Sequence, residues 1–487
     1  MVVIFVLGYT AIALEHPIKV DKAASALLIG AIVWAIYALN SAEILNLGFS
    51  PSWNNLNEMA HQIGDWIKPQ MGQTEFANSA WKETIETVHH PVHFVKHELE
   101  HHLIEIAEIL FFLFGAMTIV EIIDQHQGFK VITDKIKTTN KVKLLWVLSV
   151  LTFFMSAALD NLTTTIVMVT LLRKLIDDKQ TRWFFASMVV LSANAGGAWS
   201  PIGDVTTIML WIGGQVTAGN IITHVIFPSI VTMLVPLAIV SFTMKGNVAR
   251  PEVDANEKEF TTSRERIFIL TLGVSALLFV PVFKTTTHLP PYMGMLFGLG
   301  LMWLTTEVLH RKKSDEYKQK LVVFNILKKV DTPTIFFFLG ILTAVAALQS
   351  AGHLDILAGF LNDTLGNIYT INIAIGMLSA IVDNVPLVAG AMGMYPVHSP
   401  ETIQAITDPA AMEYAKHFFQ DGQFWEFLAY CAGTGGSVLI IGSAAGVAAM
   451  GMEKIDFIWY MKRISLLALI GYLAGAAAYY LQVVLFY

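Results

Sequence analysis

The stretch Ser156-Ala-Ala-Leu-Asp160-Asn161-Leu-Thr163-Thr164-Thr165 interrupts an apolar run, residues 143–177, with an acid and an amide. A second run, residues 369–394, is interrupted in the same way by Ser379-Ala-Ile-Val-Asp383-Asn384-Val-Pro386, at an offset of 223. The correspondence extends to both sides. Upstream, Phe112-Leu-Phe-Gly115-Ala-Met-Thr118 resembles Phe337-Phe-Leu-Gly340-Ile-Leu-Thr343 at an offset of 225. Downstream, Gly196, Gly197 and Gly203 match Gly435, Gly436 and Gly442 at an offset of 239, the extra length falling in the stretch 395–424. The chain therefore reads as an internal repeat, each half running span, surface segment, hairpin, glycine-broken span, span.

The composition fits spans. Of 487 residues 55% are hydrophobic and 14% charged, where a soluble chain carries about a quarter charged. Further apolar runs at 2–14, 22–40, 104–126, 183–212, 221–244, 266–284, 291–309, 332–350, 427–451 and 455–486 mostly approach the 20 or so residues that cross a bilayer as a helix. The expected class is an all-α polytopic membrane protein. A net charge of −7 leaves no basic excess for nucleic acid. The lone Cys431 excludes an intrachain disulfide or a four-thiolate metal site. The first run, Val2 to Leu14, lacks a basic flank and a small-residue cleavage site, so a cleaved signal is not expected.

Lysine and arginine orient the spans. The stretch 127–143 carries Lys130, Lys135, Lys137, Lys141 and Lys143, and 173–182 carries Arg173, Lys174, Lys179 and Arg182. Five basic residues in 245–266 and seven in 310–329 mark those segments as cytoplasmic too, whereas 351–372 has none and 395–424 only Lys416. With cytoplasmic flanks on both sides, 143–177 is expected to enter the membrane and return, its tip at Asp160. By the same reasoning 369–394 enters from outside, its tip at Asp383. Corresponding loops carry opposite bias, so the repeats are expected to be inverted. The expected domains are a first repeat over 1–244 with an outer insert at 41–103, a cytoplasmic linker at 245–265, and a second repeat over 266–487. Inverted repeats with broken helices meeting near mid-membrane characterise secondary transporters.

In hydrocarbon, irregular backbone survives only where it lines a cavity or is buried in protein. Four such segments carry hydroxyls, amides and acids, the oxygen ligands hard cations need. They suggest one cation site on Asp160, Asn161, Thr163, Thr164, Asn194, Ser200, Asp204, Thr206 and Thr207, and a second on Asp383, Asn384, Thr434, Ser437 and Ser443. Acids this deep are functional candidates, although Asp160 and Asp383 also stand where helix N-caps stand. Asp204 has no acidic counterpart, Ser443 occupying its place. A carboxylate binding either Na⁺ or H⁺ suffices for exchange. A small-anion symporter coupled to Na⁺ is the alternative, but no basic residue lies near either tip.

His93, His97 and His101 recur on one helical face beside Glu98 and Glu100. A solvated face, a pH sensor and a metal site all fit, and Glu105 and Glu108 beyond them could border a proton route. A membrane di-iron oxygenase would need several separated cytoplasmic histidine boxes; here there is one cluster, expected outside. No GxxxxGK[ST] loop supports ATP-driven pumping.

The tip motifs, together with Asn194-Ala-Gly-Gly-Ala-Trp-Ser-Pro-Ile-Gly-Asp-Val-Thr-Thr, closely resemble those of NhaD-type bacterial sodium/proton antiporters of the ion transporter superfamily, and the likeness runs from Gly8 to the last span. The resemblance implies exchange of Na⁺ or Li⁺ for H⁺, most active at alkaline pH and serving pH homeostasis. It implies a multi-pass homodimer in the bacterial inner membrane, with no cofactor beyond the transported ions. It places the ions, Na⁺ included, on Asp160, Asn161, Asn194, Asp204, Thr206, Thr207, Asp383 and Asn384. The superfamily's symporters have neutral tips, so the two aspartates favour proton coupling.

Overall fold

The computed structural model describes residues 1–13, 15–63, 87–251, 261–311, 313, 321–404 and 406–486. The middle of the outer insert, residues 252–260 of the 245–265 linker with Lys258, and Lys312, Lys318 and Lys320 lie outside the described residues. Everything regular among the described residues is helical, apart from two isolated bridges. Among the described residues eight helices have the length and apolar composition to cross a membrane, as expected of a polytopic membrane protein.

Both interrupted runs break where expected. Residues 143–177 form Lys141–Leu159 and Asn161–Leu175, joined at Asp160, which takes a positive φ of 83°. Residues 369–394 form Ile368–Ser379 and Asn384–Met394. At 1.5 Å per residue the second pair measure about 18 and 16 Å, too short to span, whereas Lys141–Leu159 reaches about 28 Å, the full thickness of the hydrocarbon. The downstream runs break too, into Lys179–Ala198 and Val205–Ile212, and into Gln423–Gly435 and Ala444–Glu453. Each restarts on a side-chain cap: Asp204 accepts from the Thr206 amide at 3.0 Å and Ser443 from the Gly446 amide at 3.1 Å. The span expected at 104–126 is longer than its apolar run. Its helix begins at Pro91 and continues to Gln125.

The chain forms two compact units that interleave the sequence halves. The first comprises 1–110, 332–366 and 389–396. There Lys22–Leu39 lies along Thr332–Ser350 with Gly30 against the Gly340 backbone, and Trp34 Nε1 donates to the Thr343 carbonyl at 2.7 Å. The second comprises 111–331, 367–388 and 397–487, and holds both breaks. Its last helix, Ser465–Phe486, approaches Ala218–Thr243 through Gly471 and Gly475, one helical turn apart, so that two backbones can touch.

Within the second unit the repeat reappears as contacts. Gly196 presses on the Phe153 backbone and Gly435 on that of Gly376. Gly197 faces Gly203 as Gly436 faces Gly442, and Gly203 meets the Ser156 carbonyl as Gly442 meets that of Ser379. The Ser156 hydroxyl donates to the Ala193 carbonyl at 2.6 Å, and that of Ser379 to Ala432 at 3.0 Å. Every pair is related by the 223 and 239 offsets of the sequence.

A Cβ at Gly196 or Gly435 would overlap backbone, which cannot move aside as a side chain can. Gly196→Ala and Gly435→Ala are expected to cost about 1–3 kcal/mol or more, read as a lower thermal midpoint of the detergent-purified protein. Gly359→Ala, within His353–Leu365 and facing open space, should be neutral or stabilising by up to about 1 kcal/mol.

Candidate functional site

The breaks in the second unit deliver their polar side chains to one place. Asp204, 1% exposed, accepts through Oδ2 from Asn161 Nδ2 at 2.6 Å and from Asn384 Nδ2 at 3.4 Å. Its Oδ1 accepts from the amide and the hydroxyl of Thr206, both at 3.0 Å, and its carbonyl from the Thr207 hydroxyl at 2.8 Å. A buried carboxylate is tolerable only when donors replace its water, and here amides from both tip helices and the start of Val205–Ile212 do so. No lysine or arginine among the described residues is bonded to it.

Asn194 joins the rest. Its oxygen accepts the second hydrogen of Asn161 Nδ2 at 3.1 Å, and its own Nδ2 donates to Ser437 Oγ at 2.8 Å and Ser443 Oγ at 2.9 Å. Both hydrogens of each amide are thereby used, which fixes which way each points. The oxygens of Asn161 and Asn384 receive no donor from the described residues. A Cβ on Gly433 would sit 3.9 Å from Asp204 Oδ2, so this glycine lets Gln423–Gly435 close the wall behind the carboxylate.

The sequence divides these residues between two cation sites, whereas the structure links them. Asn194 of the first set bonds Ser437 and Ser443 of the second, and Asn384 of the second bonds Asp204 of the first. The tip aspartates stand elsewhere in the bonding. Asp160 accepts at Oδ1 from the Thr163 amide at 2.7 Å and at Oδ2 from the Thr163 hydroxyl at 2.8 Å, both within its own helix start. Asp383 accepts from the Val385 amide at 3.3 Å. The other hydroxyls are tied to backbone: Ser200 to the Ala157 carbonyl at 2.5 Å and Thr434 to that of Tyr430 at 2.6 Å. The Thr164 hydroxyl is buried without a hydrogen-bond partner among the described residues.

The histidines belong to the other unit. His93, His97, His101 and Glu105 are exposed along the Pro91–Gln125 helix, with His101 Nε2 3.6 Å from Glu105, while Glu108 is half-buried. His102, which the periodicity passed over, is the buried one, its Nδ1 3.2 Å from Glu105. His97-Glu98-Leu99-Glu100-His101 also has the HExxH spacing of zinc hydrolases. No group of three His, Cys, Asp or Glu side chains among the described residues converges as a metal site would require.

Two buried acids escaped the sequence reading. Glu426 accepts from Tyr479 at 2.7 Å and lies 3.6 Å from His224. Glu453 is paired with Arg173 and Arg182. Each acid sits at a helix end, near where spans meet water, so sequence alone gives no sign of burial.

Known proteins bear on this arrangement. The model of the citrate transporter family, CitMHS, matches residues 3–415. Sodium/proton antiporter 2 of Arabidopsis thaliana is 44% identical over 406 residues, 83% of this chain and 91% of that protein. Sodium/proton antiporter 1 of the same plant is 49% identical over 78% of this chain, which spans 63% of that longer protein. The Na⁺/H⁺ antiporter NhaD of Alkalimonas amylolytica is 30% identical over 78% of each chain. These relatives are named as antiporters, not enzymes.

The bonding separates the aspartates by stability. Asp204→Asn replaces an acceptor oxygen by an amide facing donors, expected to cost about 1–3 kcal/mol. Asp160→Asn keeps a side chain that caps helices equally well, expected to change stability by less than about 0.5 kcal/mol. Thermal midpoints of the two purified variants in the absence of Na⁺ check the contrast.

Proposed function

The chain belongs to the citrate transporter family and, within it, to the NhaD-type antiporters, and on that premise we propose that it exchanges Na⁺ for H⁺ at Asp204. The observation that carries the proposal is the buried Asp204 carboxylate held by amides from both tip helices, Asn161 and Asn384. A hard cation needs anionic and neutral oxygens together. Asp204 supplies the charge, while the oxygens of Asn161 and Asn384, with the unbonded Thr164 hydroxyl, are the neutral donors nearest to hand in the sequence of the tips.

One carboxylate cannot hold a cation and a proton together. Na⁺ arriving displaces the proton and a proton arriving displaces Na⁺, so alternate exposure of the same group to the two sides couples their flows. Li⁺, with the same charge and a liking for the same oxygen donors, is the second cation of the proposal. Asp160 and Asp383, capping the two tip helices, contribute negative potential to the site. Repulsion of an anionic substrate by these acids speaks against the small-anion alternative.

The recurring glycine and serine contacts support two repeats over 1–244 and 266–487, and the opposite basic bias of their loops supports inversion. In that reading Lys141–Leu159 keeps its first turn, with Lys141 and Lys143, in cytoplasmic water, which shortens the part inside hydrocarbon and lets Asp160 lie within the membrane. The setting is an ion-tight membrane, the inner membrane of a bacterium, with the protein as a homodimer.

Everted vesicles from an antiporter-deficient host test the proposal. Na⁺ or Li⁺ should collapse a respiration-generated ΔpH, and Asp204→Asn should abolish the response. Below the pKa of the site, the Na⁺ needed for half-maximal response should rise about tenfold per unit fall in pH, because the ligand must be deprotonated to bind; above it, the requirement should level off. Wild-type exchange by Asp204→Asn would sink the assignment.

A further inference from the structure

Glu453 ends the Ala444–Glu453 helix with its side chain 2% exposed. A carboxylate is badly placed there, because the last turn of a helix is its negative end. Two arginines compensate it: Arg173 Nε lies 2.7 Å from Oε1 and Arg182 Nε 2.9 Å from Oε2. The same groups satisfy carbonyls that helix ends leave open. Arg173 donates to the Met452 carbonyl, Trp183 Nε1 to that of Glu453 at 2.9 Å, and Arg182 to those of Ile176 and Asp177 at 3.0 and 2.8 Å.

The three charges sit on three helices, and each helix carries a residue of the Asp204 network at its other end. Asn161 begins the helix that Arg173 finishes, Asn194 lies near the end of the helix that Arg182 begins, and the Ser443 cap starts the helix that Glu453 ends. The separations are 12, 12 and 10 residues, or about 18, 18 and 15 Å of helix. The three rods are therefore tied together at both ends, by neutral hydrogen bonds around Asp204 and by an ion triad at the far side.

From this we propose that Glu453, Arg173 and Arg182 are positioning residues that set the spacing of Asn161, Asn194 and Ser443 and so the cation affinity of the site. The proposal rests on the exchange reading for its affinity part only. Removing the buried Glu453 charge leaves the partly exposed Arg182 and the half-exposed Arg173 without compensation, and a rod loosened at one end pivots at the other. The two neutral hydrogen bonds that link the rods there, Asn161 to Asn194 and Asn194 to Ser443, do not hold a tolerance of a few tenths of an ångström against that pivot.

The test compares wild type, Glu453→Gln, Glu453→Asp and, as a control for loss of an exposed pair, Glu413→Gln, whose partner Lys416 is also half exposed. Hydrogen–deuterium exchange of the purified proteins without Na⁺ reads the network directly. Glu453→Gln should speed exchange at least fivefold at residues 161–165 and 443–447, with Ser465–Phe486 unchanged. In proteoliposomes it should raise the Na⁺ for half-maximal exchange about five- to tenfold, with the maximal rate within twofold. Glu453→Asp should return both to within twofold of wild type, and Glu413→Gln should match wild type. Faster exchange confined to residues 173–182 and 450–454, or an unchanged Na⁺ requirement beside a lowered maximal rate, overturns the proposal. Should Glu453→Gln fail to purify, Arg173→Gln, whose side chain is 48% exposed, is expected to show the same pattern at about twofold, and wild-type deuterium uptake at residues 161–165 and 443–447 would overturn it. If wild type moves no Na⁺, the exchange reading fails while deuterium uptake at those two segments alone decides the triad.

Discussion

A carboxylate sealed from water keeps its charge only where donors are brought to it, and the second unit of this chain is organised by that requirement at Asp204. Donors must come from several directions, so several helices must end close to one point. Unwinding after Ala198 and after Gly435 creates those ends, and glycines at 196, 197, 203, 435, 436 and 442 let backbones approach to the distance that a methyl group would forbid. Thus the small residues and the polar residues of the breaks are parts of one arrangement. The former bring the backbones together and the latter use the proximity.

The contacts at the two sets of breaks recur, but their chemistry does not. Asp204 and Ser443 occupy equivalent positions, cap equivalent helices and join the same network, yet only one is charged. A second buried carboxylate in a linked network would leave two like charges competing for the same amide donors, and at least one would take up a proton permanently. A single acid with a hydroxyl opposite avoids that. Within the bonded network Asp204 is then the one acid, with Ser443 bonded through Asn194.

Much of this was legible in the sequence. Constant offsets between Asp160-Asn161 and Asp383-Asn384, and between the glycine sets, located all four helix breaks, and the contacts recur at those same offsets. Every residue of the Asp204 network was among the candidates. What the sequence could not give was the partition. Asp160 and Asp383 share a motif with Asn161 and Asn384, but a step of one residue at a helix start turns the aspartate onto its own backbone and the asparagine toward Asp204. Nor could it pair Glu453 with arginines 271 and 280 residues away. Distant pairs of common charged residues leave no local pattern. The histidine spacing marked exposed residues, as a solvated face would give, and passed over the buried His102.

The most direct measurement of the central claim is proton release on cation binding, followed with a pH dye in weakly buffered detergent solution of the purified protein. Wild type should release about one proton per Na⁺ bound at a pH below the site's midpoint, Asp204→Asn none, and Asp160→Asn nearly as many as wild type. Undiminished release from Asp204→Asn would show that the exchanging carboxylate lies elsewhere, and the account given of the network around it would be wrong.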